Sequence, residues 1–225
     1  MPKKNNKIVL NMVSYAVLQI VNMLVGLFLP RLYLARYGSE INGIISTVNS
    51  FTSYFSYLEA GLGLTMIHAL FTPLASKKIL DINTVLSYSK KQYVKISGIY
   101  LILVVLLSLI FPLISIVSDI SFIEFILLIF VIGIYGAIDF YTMAKYRVLL
   151  IADRKEYIIS LAMIIAQLLR FVFVFVLLKF QISVVFVKIV PILTLFIRSL
   201  ILKLYVNKKY PYVDFSQKLT NIFRQ

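Results

Sequence analysis

The chain has no cysteine, no tryptophan and one histidine in 225 residues. Without cysteine there is no disulfide, no thiolate metal site and no cysteine nucleophile. His68 alone cannot form a paired-histidine metal motif, and a lone histidine near a helix end more often packs than reacts. No glycine-rich phosphate loop and no nucleophile elbow is present. Acids are scarce too: nine Asp and Glu stand against 23 Lys and Arg, for a formal net charge of +14. Enzyme chemistry therefore has no constellation to carry it. The expectation is a non-enzyme that uses no metal or other cofactor.

What fills the chain is apolar. Hydrophobic residues make up 61% and the mean hydropathy is +0.95, where globular domains average about 45–50% apolar. A soluble domain of this length needs more polar surface. A spanning helix takes roughly 20 apolar residues, because the hydrocarbon core is ~30 Å thick and each residue rises ~1.5 Å. Backbone groups in lipid must bond within their own segment, which forces helices. A β-barrel would show short alternating strands rather than the uninterrupted run 101–117.

The pattern predicts an all-α polytopic membrane protein forming one domain, 1–225. Six transmembrane helices are expected at about 8–34, 41–70, 93–117, 122–151, 157–179 and 183–205. A loop is expected at 71–92 and a cytoplasmic tail at 206–225. The first span follows Lys3, Lys4 and Lys7, but it is too long for a signal-peptide h-region and ends in no small-x-small cleavage site.

Charge sets the orientation. With the N-terminus in the cytoplasm, that side holds Lys3, Lys4 and Lys7; Lys77, Lys78, Lys90, Lys91 and Lys95; Lys145, Arg147, Arg154 and Lys155; and Lys203, Lys208, Lys209, Lys218 and Arg224. The outer side holds Arg31, Arg36 and Lys179. This positive-inside bias places both termini in the cytoplasm. Basic loops beside anionic membrane lipids account for most of the net charge, and no nucleic acid is needed to explain it.

Polar residues form stripes. Asn11, Tyr15, Gln19, Asn22 and Gly26 are spaced three or four apart in the first span, which puts them on one helix face. The second span repeats this with Asn42, Ser46, Asn49, Ser53, Ser56 and Tyr57. The fourth has Tyr135, Asp139, Thr142 and Tyr146, and the fifth has Ser160, Gln167 and Arg170. Such residues either bond helix to helix, at ~0.6 kcal/mol per contact, or line a hydrated cleft. The third span is polar only near its start and is expected to be the most lipid-exposed.

Three cations sit within spans: Arg170 near the middle of the fifth, and Lys188 and Arg198 on either side of Pro191 in the sixth. A central charge costs ~2.5–3.5 kcal/mol on insertion scales, so it faces a bundle interior and a partner. Asp139 is the nearest candidate partner for Arg170, and Glu59 is the other deep acid. At least one cation is then left for an anionic ligand. Lys188 and Arg198 are also near enough to helix ends to snorkel. Pro112 and Pro191 each remove a backbone donor and kink their helices. Gly61 and Gly63 loosen the end of the second span or let it pack closely.

The run Leu29-Pro30-Arg31-Leu32-Tyr33, followed by Tyr37-Gly38-Ser39-Glu40-Ile41-Asn42-Gly43, resembles the outer loop after helix one of bacterial polysaccharide repeat-unit flippases. These are the Wzx-type members of the MOP (MATE-like) exporter superfamily. Residues 51–57, then Leu58-Glu59-Ala60-Gly61-Leu62-Gly63, Ala69-Leu70-Phe71-Thr72-Pro73-Leu74-Ala75 and Lys208-Lys209-Tyr210-Pro211, continue the resemblance in order. It implies one six-helix lobe of a two-lobed, alternating-access transporter in the bacterial inner membrane. It also implies a polyprenyl-diphosphate-linked oligosaccharide as cargo, for capsule, O-antigen or exopolysaccharide synthesis. Arg170, Lys188, Arg198 and Arg31 would then take the anionic headgroup. Asn11, Gln19, Asn22, Asn49 and Gln167 would line the cavity. Asp139 and Glu59 would carry a coupling proton or pair with the cations, with proton or sodium coupling left open. A single lobe is expected to be inactive without an opposite wall, supplied by a separate chain or by a homodimer, and a polysaccharide polymerase is an expected partner. A MATE-like multidrug or metabolite exporter and a nontransporting partner of a polysaccharide assembly complex are the alternatives.

Overall fold

The structure is a computed structural model. It describes residues 2–59, 61–115, 120–180 and 182–217, with the backbone alone for 2–5. Lys218 and Arg224, the side chains of Lys3 and Lys4, and the last two residues of the expected third span lie outside the described residues. All regular structure in the described residues is helical: α1 (Pro2–Phe55), a 3₁₀ turn (Ser56–Glu59), α2 (Leu62–Ser76), α3 (Ile79–Ile114), α4 (Phe122–Ala152), α5 (Glu156–Lys179), α6 (Val184–Val187) and α7 (Val190–Lys209). Five helical stretches are long and apolar enough to cross a membrane: 6–76, 79–114, 122–152, 156–179 and 184–209.

The first stretch is folded at Gly38, whose backbone (φ 80°, ψ 177°) is non-helical and suits only glycine. Asn22 and Asn49 would stand about 40 Å apart on a straight helix, yet both line one small cavity. The arm after Gly38 therefore runs back along the arm before it. Val25, Leu29 and Tyr33 of the first arm share a buried core with Ile41, Ile44, Ile45 and Val48 of the second. At the bend, the Tyr37 hydroxyl donates to the Ile182 carbonyl at 2.7 Å and ties this turn to the segment after α5.

The expected second span, 41–70, is not one helix. The second arm of α1 ends at Phe55, and Gly61 (φ 84°) restarts the chain as α2. Gly63 is needed for close approach: a Cβ there would lie 3.2 Å from the Tyr93 hydroxyl. The expected loop 71–92 is also helical, since α3 begins at Ile79. Two of its buried polar side chains, Asn83 and Ser87, are taken up by the segment after α7. Asn83 donates to the Tyr212 carbonyl and accepts from the Asp214 N–H, both at 3.0 Å, and Ser87 Oγ accepts from the Gln217 N–H at 3.0 Å. Phe215 packs edge-on against Tyr146 of α4. The tail is thus docked along α3 as far as residue 217.

The fourth and fifth expected spans agree with α4 and α5 to within a residue. Ser121 caps α4 by accepting from the Glu124 N–H at 3.3 Å, the Ser-x-x-Glu capping pattern. Gly133 and Gly136 let α4 lie close on α3: a Cβ at Gly133 would come 2.6 Å from Val104, and one at Gly136 would run into the Tyr100 ring. The expected sixth span breaks at residues 188–189, between α6 and α7. Pro191 is the second residue of α7 and offers no N–H to the Val187 carbonyl. The third span is not the most exposed. The most apolar window of α5 is 11% buried and that of α3 is 22%, because α3 lays Tyr100, Val104, Ser108 and Pro112 against its neighbours at four-residue spacing.

Two apolar cores form, one at each end of the bundle. On α4, Phe125, Leu128 and Ile129 belong to one, and Ala137 through Ala152 supply the other. On α5, Val174 joins the first, and Ile159 and Ala162 join the second. Between the cores, on the side of α1, α5 and α7, Asn22, Gln167, Arg170 and Lys188 form a polar layer.

Candidate functional site

That layer holds two cavities that share a wall. One, of about 170 Å³, is lined by Asn22, Tyr135, Gln167, Arg170, Thr194 and Arg198 among others. The other, of about 160 Å³, is lined by Asn22, Tyr33, Asn42, Asn49, Gln167, Arg170 and Lys188 among others. Asn22, Gln167 and Arg170 face both. Gln167 Nε2 donates to Asn22 Oδ1 at 3.0 Å, so this amide pair forms the partition. Arg170 lies about 21 Å from the start of α5 and about 14 Å from its end, deep between the two cores.

The three deep cations are in different electrostatic states. Arg198 is buried and ion-pairs with Asp139, and its Nε donates to Met143 Sδ at 2.9 Å. Asp139 also takes Arg147 at 3.1 Å. Arg147 continues to Glu59 at 3.6 Å, and Glu59 accepts from the Tyr93 hydroxyl at 2.8 Å. Four charges, two of each sign, thus run from α7 through α4 to the 3₁₀ turn after α1. Asp139 and Glu59 are therefore ion-pair acids in this structure. The expected pairing of Asp139 with Arg170 is absent, because Asp139 points to α7 and to its own helix.

Arg170 and Lys188 have no carboxylate partner among the described residues. The Arg170 Nε is buried without a hydrogen bond. Lys188 lies over the Tyr33 ring, with Nζ 3.8 Å from the centroid, a cation–π contact rather than snorkelling to an interface. The helix break before Pro191 places it there, at the C-cap of α6. Among the described residues no Asp or Glu lines either cavity. The arrangement suits an anion: a planar guanidinium and an ammonium, with amides and hydroxyls around them.

Of the other expected site residues, Asn22, Asn49 and Gln167 line the cavities. Asn11 does not. It donates to the Arg154 carbonyl at 3.2 Å and accepts from the Tyr157 N–H at 2.9 Å, pinning α1 to the α4–α5 turn. Gln19 and Arg31 are exposed and line neither cavity. His68 packs edge-on against Phe71. Arg147, grouped in the sequence with the cytoplasmic loop charges, is instead part of the buried ion network. Its position eight residues, about two turns, after Asp139 was the available signal.

The fold and the polar layer define an all-helical protein whose long helices are compatible with a membrane. No family model, no curated protein and no solved structure matches the chain.

Proposed function

We propose that the chain is one lobe of a flippase that moves lipid-diphosphate-linked oligosaccharide units across the bacterial cytoplasmic membrane for surface polysaccharide synthesis. The observation that carries this reading is the pair of cations without a carboxylate partner, Arg170 and Lys188, beside two mid-bundle cavities that no described Asp or Glu lines. Cations at such depth need a compensating anion. A diphosphate supplies one, and Asn22, Asn42, Asn49 and Gln167 offer hydrogen bonds to sugar hydroxyls.

In this reading the two arms of α1 cross separately, which gives six crossings with both termini in the cytoplasm. A second lobe, from another chain or a second copy, closes the cleft. Arg198 holds the bundle through Asp139 rather than binding cargo, and Arg31 meets the headgroup only at the outer rim. The absence of cavity carboxylates favours this reading over export of cationic drugs.

The test neutralises Arg170→Gln and Lys188→Gln together in the producing cell. Surface polysaccharide should fall to background at normal protein level, and flipping of a fluorescent lipid-diphosphate sugar in liposomes should stop. Unchanged export and flipping would overturn the assignment.

A further inference from the structure

Helices α2 and α4 end alike. Lys78 N–H bonds back to the Pro73 carbonyl, and Lys155 N–H to the Leu150 carbonyl, each spanning five residues. The residues before them, Lys77 (φ 55°) and Arg154 (φ 56°), are left-handed. This is the Schellman ending, in which glycine is the usual left-handed residue. Any other L residue meets its own carbonyl there, and Lys and Arg gain no local hydrogen bond in return. Among the described residues these are the only non-glycine positions with positive φ. Both are basic, and both stand at the same end of the bundle.

Each residue lines a pocket. Arg154 and Lys7 border one of about 670 Å³, whose apolar wall is Phe71, Leu74, Ala75 and Ala152. Lys77 borders a second, of about 360 Å³, which shares Leu74 and Asp153 with the first. Asp153 forms no ion pair with Arg154 or Lys77 and meets Lys7 only at long range. Its Oδ2 already accepts from the buried Lys155 Nζ at 2.6 Å and from the Tyr210 hydroxyl at 2.5 Å. Lys7 reaches only its other oxygen, at 3.9 Å. Phe71 is 44% exposed on the pocket rim. Lys7 stands at the start of the apolar stretch 6–76 and Arg154 just past 122–152, so the pocket lies where two membrane-compatible stretches end.

We infer that this end of the bundle carries a site for an anionic glycerophospholipid. The phosphate lies between Arg154 and Lys7, with Lys77 beside it, and an acyl chain runs over Phe71 and Leu74. A basic rim above an apolar wall matches that ligand at both ends. The left-handed backbone is tolerated because a glycine there would give up the cation. The proposal uses the orientation above only to name the inner leaflet. It is independent of the cargo site, and an Arg170→Gln/Lys188→Gln protein keeps its lipid.

The test purifies the full chain with phosphatidylglycerol or phosphatidylcholine and counts bound lipid by native mass spectrometry. Phosphatidylglycerol should be retained and phosphatidylcholine should not. Arg154→Gly, Lys77→Gly and Lys7→Gln should each weaken retention about fivefold. The two glycine variants should melt no lower than the parent in lipid-free detergent, so misfolding cannot explain the loss. Lys91→Gln and Lys208→Gln, which remove the same charge outside the pockets, should retain the lipid. An equal loss in those controls would reduce the effect to the general field of a basic face and overturn the site. Equal retention of both lipids, displacement of the lipid by millimolar inorganic phosphate, or a lower melting point for the glycine variants would overturn it as well.

Discussion

Arg198 on α7 ion-pairs with Asp139 on α4, and the same carboxylate takes Arg147 at 3.1 Å on its other oxygen. One acid thus fastens α7 to α4 and to the chain that leads on to Glu59. The Asp139 and Arg198 side chains are 14% and 8% exposed, so solvent screens them little. Removing the acid would leave the Arg198 guanidinium uncompensated and Arg147 with only the longer 3.6 Å contact to Glu59.

Asp139→Asn should therefore lower stability by about 3 kcal/mol, the range for breaking a buried pair from one side. Arg198→Met should cost less, because Asp139 keeps Arg147. Thermal unfolding in detergent would rank them, and an Asp139→Asn protein as stable as the parent would show the network to be dispensable.

Arg170→Gln should behave in the opposite way. Its guanidinium has no ion-pair partner to lose, and its Nε is already without a hydrogen bond. The variant should unfold at the parent's temperature or above it. A fall of several degrees would mean that the charge holds the bundle together.

Gly136→Ala should destabilise by about 1–3 kcal/mol, the usual range for overpacking. The added methyl meets the Tyr100 ring, which is itself 2% exposed and has no room to retreat. A Gly136→Ala/Tyr100→Leu double variant should recover part of the loss. If the two effects simply add, measured by denaturation in detergent, then the two positions do not touch.

The Asp153–Tyr210 contact predicts a stability plateau that is lost at both pH extremes. Burial raises the Asp153 carboxyl, but hydrogen bonds from Lys155 and Tyr210 and the charges of Lys155 and Lys7 outweigh it and hold it below its ordinary 3.8. Its contribution is present above pH 3.8 and disappears as pH falls further and the folded carboxylate is protonated. Burial, then the Asp153 hydrogen bond and charge, raise the Tyr210 phenol above its ordinary 10.0. The unfolded chain ionises first, so that contribution is full below pH 10 and declines above it. Tyr210→Phe should flatten the alkaline limb of a melting-temperature profile. A limb of unchanged slope would place the titrating group elsewhere.

The helices α4 and α5 were legible in the sequence because each is one apolar run with polar ends. The region 71–92 was not legible. Its Asn, Ser and Lys content reads as a loop, and only residues 212–217, more than 120 positions away, supply the partners that keep Asn83 and Ser87 inside. The reversal at Gly38 falls between the two apolar runs 8–34 and 41–70. The break at Gly61 was read only as a loosened helix end. For the site, spacing put Asn22, Gln167 and Arg170 on inward faces, and that placement agrees with the cavities. Depth along a helix suggested Asp139 for Arg170, but depth carries no information on rotation or on which neighbour stands opposite. The same limit left Asn11 among the cavity residues, although its amide clips the α4–α5 turn.

The separation of the two apolar cores bears on how the molecule comes apart. On the α1, α5 and α7 side its ends are joined by a waist of amides, two cations and some 160–170 Å³ hollows, while α3 and α4 pack continuously past it at Val104 and Gly133. Cooperativity needs uninterrupted contact. Amide hydrogen exchange should therefore report two blocks of protection with separate opening energies, while α4, which runs through both, opens last in each. A single uniform block would mean that the waist transmits strain as well as solid packing does.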